Sequence, residues 1–187
     1  MNKVYVFLAD GLEEIEGLTV VDILRRAGQE VCTVSVTGSK TITGSHAIIF
    51  QADRLFEETD FSDGSLLVLP GGLKGTNTLG ACKPLAELLV SWNRAGKKLA
   101  AICAAPSVLG DLGVLKGKKA ICYPGFEERL IGARICRQKA VTDGNVTTGM
   151  GMGTAIPFAL ELVRVLCGEE EAARQKKSIC YGHLSER

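Results

Sequence analysis

The 187-residue chain is poor in histidine (two), tryptophan (one) and proline (five), and aromatic residues make up only 5% of it. With His46 and His183 as the only imidazoles, neither a histidine-rich metal site nor a cysteine–histidine pair is easily assembled. Charge of one sign is also missing. There are 22 basic and 21 acidic residues, a net charge of +1. That balance argues against a nucleic-acid partner and against a polybasic membrane anchor, both of which need a basic excess. No apolar run approaches the roughly 20 residues of a membrane-spanning helix. The start, Met1-Asn2-Lys3-Val4, leads into a short apolar segment followed at once by Asp10, Glu13 and Glu14. This reads as a first strand rather than a signal peptide.

Cysteine is the exception to this scarcity. Cys32, Cys82, Cys103, Cys122, Cys136, Cys167 and Cys180 are odd in number, widely spaced and free of any Cys-x-x-Cys pattern. A disulfide scaffold would be shorter and denser in cysteine, so free thiols and a cytoplasmic location are expected. Most of the seven are expected to fill the core as small hydrophobes.

The length suits one domain spanning residues 1–187. Strand and helix patterns alternate along it. Strands are expected at Val4–Leu8, Glu30–Val36, Leu66–Leu69 and Leu99–Ile102, with shorter ones near 120–123, 133–135, 139–142 and 145–148. A hairpin is expected across Gly44-Ser45, and a tight turn at Asp143-Gly144. Helices are expected over Glu13–Ala27, Asn77–Ala95, Pro106–Leu112, 155–166 and Glu169–Lys177. The first would bury a stripe of Ile15, Leu18, Val21 and Leu24. Thr154 is placed to cap the helix at 155. This order implies an α/β fold with a mostly parallel sheet covered on both faces. Ligands of such sheets sit at the carboxyl ends of the strands.

Three strand ends stand out there: Ala9-Asp10-Gly11, Pro70-Gly71-Gly72 and Cys103-Ala104-Ala105-Pro106. A strand delivers Cys103 and a helix begins just after it. That elbow points a thiol into the crevice, and a helix N-terminus can lower a thiol pKa from about 8.5. Small neighbours suit plain packing equally. The Gly71-Gly72 N–H groups could receive an oxyanion with that of Ala104, or simply serve a tight turn. Neither His46 nor His183 falls at a strand carboxyl end, so both read as structural or surface residues. A carboxylate from Glu13, Glu14 or Glu16 is then the better partner for a thiol, and periodicity leaves all three open. Tyr123-Pro124 either rims the crevice or packs. Gly149-x-Gly151-x-Gly153 lacks the following lysine and the early position of a phosphate loop. The cysteines and histidines show no metal-ligand spacing. No metal and no cofactor is implied.

The segments Ala9-Asp10-Gly11-Leu12-Glu13-Glu14-Ile15-Glu16, Val21 through Gly28, Val68-Leu69-Pro70-Gly71-Gly72 and Ala100 through Pro106 resemble, in order, the ThiJ/PfpI superfamily. They are closest to its Parkinsonism-associated deglycase branch. Gly151-Met152-Gly153-Thr154-Ala155 is similar to that branch's Gly-Pro-Gly-Thr-Ser helix entry. The resemblance implies a flavodoxin-like three-layer sandwich with a nucleophile-elbow cysteine, usually a homodimer. It makes Cys103 the reactive thiol and Glu16 the carboxyl group that bonds its sulfur. The N–H groups of Gly72 and Ala104 become the anion pocket. Three positions depart from the pattern. Ala104 stands where the protease branch has histidine, Tyr123 where the deglycase branch often has one, and Met150 where the branch has arginine.

The resemblance implies a deglycase or glyoxalase acting on methylglyoxal-like dicarbonyls or glycated proteins. A Cys103 hemithioacetal would form, with Glu16 as acid and base. The alternative is a non-enzymatic oxidative-stress sensor or chaperone, in which Cys103 oxidises to a sulfinate. The superfamily's older labels, intracellular cysteine peptidase and thiazole phosphate synthesis for thiamine, lack supporting residues.

Overall fold

The computed structural model describes residues 2–182. The chain runs β1 (Lys3–Leu8), α1 (Glu14–Arg26), β2 (Glu30–Ser35), the hairpin strands β3 (Thr41–Thr43) and β4 (Ile49–Gln51), then β5 (Arg54–Leu55). It continues through β6 (Gly64–Leu69), α2 (Leu73–Ala81), α3 (Lys83–Arg94), β7 (Lys98–Ile102) and α4 (Pro106–Asp111). Two short strands, β8 (Lys119–Ala120) and β9 (Arg134–Ile135), precede β10 (Ala140–Asp143) and β11 (Val146–Gly149). The helices α5 (Ala155–Cys167) and α6 (Glu169–Ser178) follow.

Seven strands form the main sheet in the order β10-β11-β7-β6-β1-β2-β5. All its pairs are parallel except β10–β11. The chain leaves β1 toward β2 on one side and returns to β6 on the other. The carboxyl ends of β1 and β6 therefore splay around a topological switch point, where such sheets hold their ligands.

Alternation along β1 shows the three layers. Val4, Val6 and Leu8 face a core built with Val20 and Leu24 of α1 and Phe158 and Leu162 of α5. Tyr5 and Phe7 face a second core with Leu85, Leu89 and Trp92 of α3. Near-continuous burial of β1 is what a strand covered on both faces requires.

Several expectations need correction. The helix expected over 77–95 is two helices, because Cys82 takes extended dihedrals and Pro84 fits only the first turn of a new helix. On α1 Val21 and Leu24 are buried as the stripe requires, but its first turn differs. Ile15 and Leu18 are exposed, whereas Glu14 and Glu16 are buried. The turn between β10 and β11 falls on Gly144-Asn145, one residue later than expected. Thr154 stands at the N-cap of α5 as expected but makes no side-chain bond into it; its hydroxyl bonds the Gly151 backbone and closes a preceding single turn. The 120–123 strand is only Lys119–Ala120, paired with β9 outside the main sheet. Strand β5 had no counterpart in the sequence reading. Of the seven cysteines, all free, only Cys32 and Cys122 are fully buried. His183 lies outside the described residues. Among the described residues, no helix is long and apolar enough to cross a membrane.

Helix α4 is set by a close approach. A Cβ on Gly110 would stand 2.1 Å from the Arg129 carbonyl oxygen. Gly110→Ala is expected to lower unfolding free energy by about 1–3 kcal/mol in urea titrations. Gly153→Ala, whose Cβ would meet nothing within 4 Å, is expected to stay within about 0.5 kcal/mol of the parent.

Candidate functional site

Three strand ends converge at the switch point. The turn after β1 brings in Glu16, in the first turn of α1 and fully buried. The turn after β6 brings in Gly71 and Gly72. Strand β7 ends at Cys103, whose φ of 66° is left-handed, a strained conformation for a residue with a side chain. The elbow is held from both sides: the Cys103 N–H donates to Gly149 O at 3.1 Å, and the Tyr123 N–H donates to Cys103 O at 2.8 Å.

Gly71 explains how a carboxyl and a thiol fit together. Its N–H donates to Glu16 Oε2 at 3.0 Å. A Cβ at this position would stand 2.4 Å from that same oxygen and 3.0 Å from Cys103 Sγ. Glu16 and Cys103 thus press on the one spot that carries no side chain. Gly72 has φ 89°, and a Cβ there would strike Glu13 N and Gly11 O at 2.5 Å. Its N–H and that of Ala104 favour negative charge on the Cys103 sulfur.

Glu16 and Cys103 titrate as a pair. Burial pushes the Glu16 carboxyl up to about 7, against the opposing bonds from Cys103 and the Gly71 N–H. Burial also pushes the Cys103 thiol up, to about 12, and an ionised Glu16 adds to this; the Gly72 and Ala104 N–H groups pull it down. The pair therefore sheds one proton near neutrality and holds the second. The low thiol pKa expected from the helix N-terminus is not what this environment produces. Helix α4 spans only Pro106–Asp111, and desolvation with a neighbouring carboxylate outweighs its dipole. Glu16 Oε1 is buried with no hydrogen-bond partner among the described residues, an acceptor left open at the heart of the site.

Cys103, Glu16, Gly72, Ala104 and Tyr123 all border one cavity of about 470 Å³. Leu73, Phe126 and Met152 supply apolar lining. Glu13, one of the three candidate carboxylates, also lines it, and so does His46, which its distance from any strand carboxyl end had marked as a structural or surface residue. The β3–β4 hairpin folds back over the start of α1: Gly11 N donates to Thr43 O at 2.8 Å and Ser45 N to Leu12 O at 2.8 Å. Buried Glu14 then collects the loop, accepting from His46 N at 2.7 Å and Ser45 Oγ at 3.0 Å, with His46 Nδ1 at 3.0 Å. Burial opposes its ionisation, but the His46 side-chain and backbone bonds lead several that hold it down at about 2. Glu13, Glu14 and His46 offer ligand atoms within 4.8 Å of one another. Hydrogen bonds within the group account for that clustering. No spacing in the sequence signals a contact between residues 14 and 46.

A protein-family model described as the DJ-1/PfpI family matches residues 2–165. The chain is 39% identical over 173 residues to DJ-1 homolog B of Arabidopsis thaliana, covering 91% of this chain and 40% of the relative. It spans less than half the length of the two Arabidopsis relatives it matches. A Pyrococcus abyssi protein named a deglycase is 30% identical over 166 residues, 88% of this chain and 99% of the relative. Among solved structures, oxidized DJ-1 of Toxoplasma gondii superposes with a TM-score of 0.93 at 32% identity, covering 97% of this chain and 100% of that one.

The unfolded Glu16 carboxyl titrates near 4.5 and the folded one near 7. The folded chain binds this proton more tightly, so the stability it contributes is full below pH 4.5 and lost as pH rises through 7. Glu16→Gln is therefore expected to be more stable than the parent at pH 8, on the order of 2 kcal/mol. The gain should vanish at about pH 4, below the unfolded pKa. Denaturant titrations at the two pH values check this.

Proposed function

The chain belongs to the DJ-1/PfpI family, and from that premise we propose that it is a cysteine-dependent enzyme of the deglycase or glyoxalase type. The observation that carries the reading is the buried Glu16 carboxyl packed with the Cys103 thiol around Gly71. The Pyrococcus relative's name supports the reaction class. Substrates are small 2-oxoaldehydes such as methylglyoxal, or their adducts on proteins.

The Cys103 thiol gives its proton to water as the sulfur attacks the aldehyde carbon, C1, and water returns one when the C2 oxygen is protonated. A C–S bond forms, the carbonyl π pair moves onto oxygen, and that oxygen takes a proton. The Glu16 carboxylate then removes the C1 hydrogen as a proton, and the electrons shift onto the C2 oxygen, which is protonated to give an enediol. Glu16 returns its proton to C2 while the C1 hydroxyl loses its own, leaving a thioester of lactate on Cys103. Water cleaves the C–S bond and releases lactate and the thiol. The sum is one water added per methylglyoxal, with no outside oxidant. Raising Glu16 to about 7 suits a group that must both take and give a proton at neutral pH.

A second reading uses the same thiol without turnover. Two equivalents of peroxide would convert the Cys103 thiolate to a sulfinate with release of two waters. The Gly72 and Ala104 N–H groups, which favour negative charge on the sulfur, support this reading, as does the oxidized Toxoplasma relative. A peptidase reading lacks the histidine that the protease branch carries immediately after its cysteine, where Ala104 stands.

We further propose a homodimer in a reducing cytoplasm. Ile15, Leu18 and Ile156 expose apolar surface. Leu18 and Ile156 share a cleft with Ile23 and Ile179. Burying this apolar surface against a second copy would remove it from water.

Lactate release from methylglyoxal is expected to fall to background in Cys103→Ser and by about 100-fold or more in Glu16→Gln. Equal turnover by the parent and Cys103→Ser overturns the enzymatic reading. In sedimentation velocity the parent is expected to run as a dimer and Leu18→Glu combined with Ile156→Glu as a monomer. A monomeric parent overturns the assembly.

A further inference from the structure

The reaction proposed above needs a donor for the proton that reaches the substrate oxygen as the C–S bond forms. Glu16 is occupied with the proton that moves between carbons. The other titratable side chains lining the cavity are Glu13, His46 and Tyr123. Histidine is the residue type whose ordinary titration falls between pH 5 and 8.

His46 is held as such a donor must be. Glu14 is buried and kept ionised, so its oxygens can only accept. His46 Nδ1 lies 3.0 Å from Glu14 Oε2 and must carry the hydrogen of that bond. Nε2 is then the ring nitrogen left for a molecule in the cavity. The loop that carries the ring is clamped as well. A Cβ on Gly44 would overlap Glu14, 2.1 Å from Oε1, so only glycine lets the loop sit there. The next residue after His46, Ala47, is left-handed at φ 62°, a strain sustained by the surrounding bonds.

We propose that His46, oriented by the Glu14 carboxylate, presents Nε2 to the Cys103 cavity and donates a proton to an oxygen of the bound oxoaldehyde. The assignment rests on the enzymatic reading of Cys103. Bond-making is balanced: the carbonyl π pair becomes an O–H bond to the proton leaving Nε2, and His46 regains a proton when the C1 hydroxyl of the enediol loses its own. The groups facing the ring are Glu14, Ser45 Oγ at 3.0 Å and Glu13 Oε2 at 3.7 Å, with Glu16, Cys103 and Tyr123 bordering the same cavity. The Glu14 hydrogen bond, followed by the Glu13 and Glu14 charges, holds the His46 pKa above its ordinary value and so favours the donor form. Glu14 is a positioning residue in this scheme.

The ring is 68% exposed, so His46→Gln is expected to fold normally. It should lower kcat for methylglyoxal by roughly 100-fold, with a smaller change in KM, and remove one ionisation from the pH profile of kcat/KM. Glu14→Gln should lower kcat less and move that ionisation to lower pH. A His46→Gln rate within twofold of the parent with an unchanged profile overturns the proposal. A readout independent of turnover uses the Cys103→Ser protein. Saturating lactate, the product, is expected to shift the His46 imidazole ¹⁵N signal at Nε2, assigned by its loss in His46→Gln. No shift at saturation also overturns the proposal. If Cys103→Ser turns over like the parent, the enzymatic reading of Cys103 fails instead, and the imidazole signal separates the two failures.

Discussion

A fully buried carboxyl is the constraint on which the rest of this site depends. Glu16 sits in the first turn of α1, where a glutamate would ordinarily reach water. Here it is enclosed, and each neighbour is shaped by that enclosure. Gly71 supplies a backbone N–H and forgoes a side chain, because any Cβ would overlap the carboxyl and the thiol together. Cys103 accepts a left-handed backbone to bring its sulfur alongside. The sheet topology provides the opening, since β1 and β6 part at the switch point. Desolvation then raises the carboxyl into the neutral range. Stability given up at one residue in exchange for reactivity is a common bargain of functional sites.

A second buried glutamate, two residues earlier, faces the opposite way and has the opposite electrostatics. Glu14 is surrounded by donors from the β3–β4 loop, and their bonds outweigh desolvation. One carboxyl is thereby kept ionised and the other readily protonated within a single helical turn. The difference arises from the number of donors each one meets: several for Glu14, one backbone N–H for Glu16 Oε2 and none in hydrogen-bond geometry for Oε1. The ionised partner locks the hairpin to α1 and brings His46 to the cavity that Cys103 and Glu16 line.

Much of this was legible in the chain. Alternating apolar runs and helical periods gave the parallel α/β sheet, and the strand-ending turns marked where a crevice would lie. Cys103 stood out because a strand delivers it into Pro106, a residue suited to a first helical turn. Errors fell where local pattern and tertiary contact disagree. Ile15 and Leu18 fit the apolar stripe of α1 yet face outward, while Glu14 and Glu16 break the stripe and are buried. The sheet and the hairpin both press on that end of the helix, and periodicity cannot register a neighbour that arrives from elsewhere in the chain.

The sequence by itself determined the layers, the strand ends and the elbow position of Cys103, since backbone pattern and turn chemistry are local properties. Only the tertiary structure decided the protonation behaviour of that thiol and the placing of a histidine on the same cavity. Both depend on desolvation and on contacts across 32 residues between Glu14 and His46 and 55 residues between Glu16 and Gly71. Electrostatic environment is set by what surrounds a group in space, and no spacing along the chain encodes it.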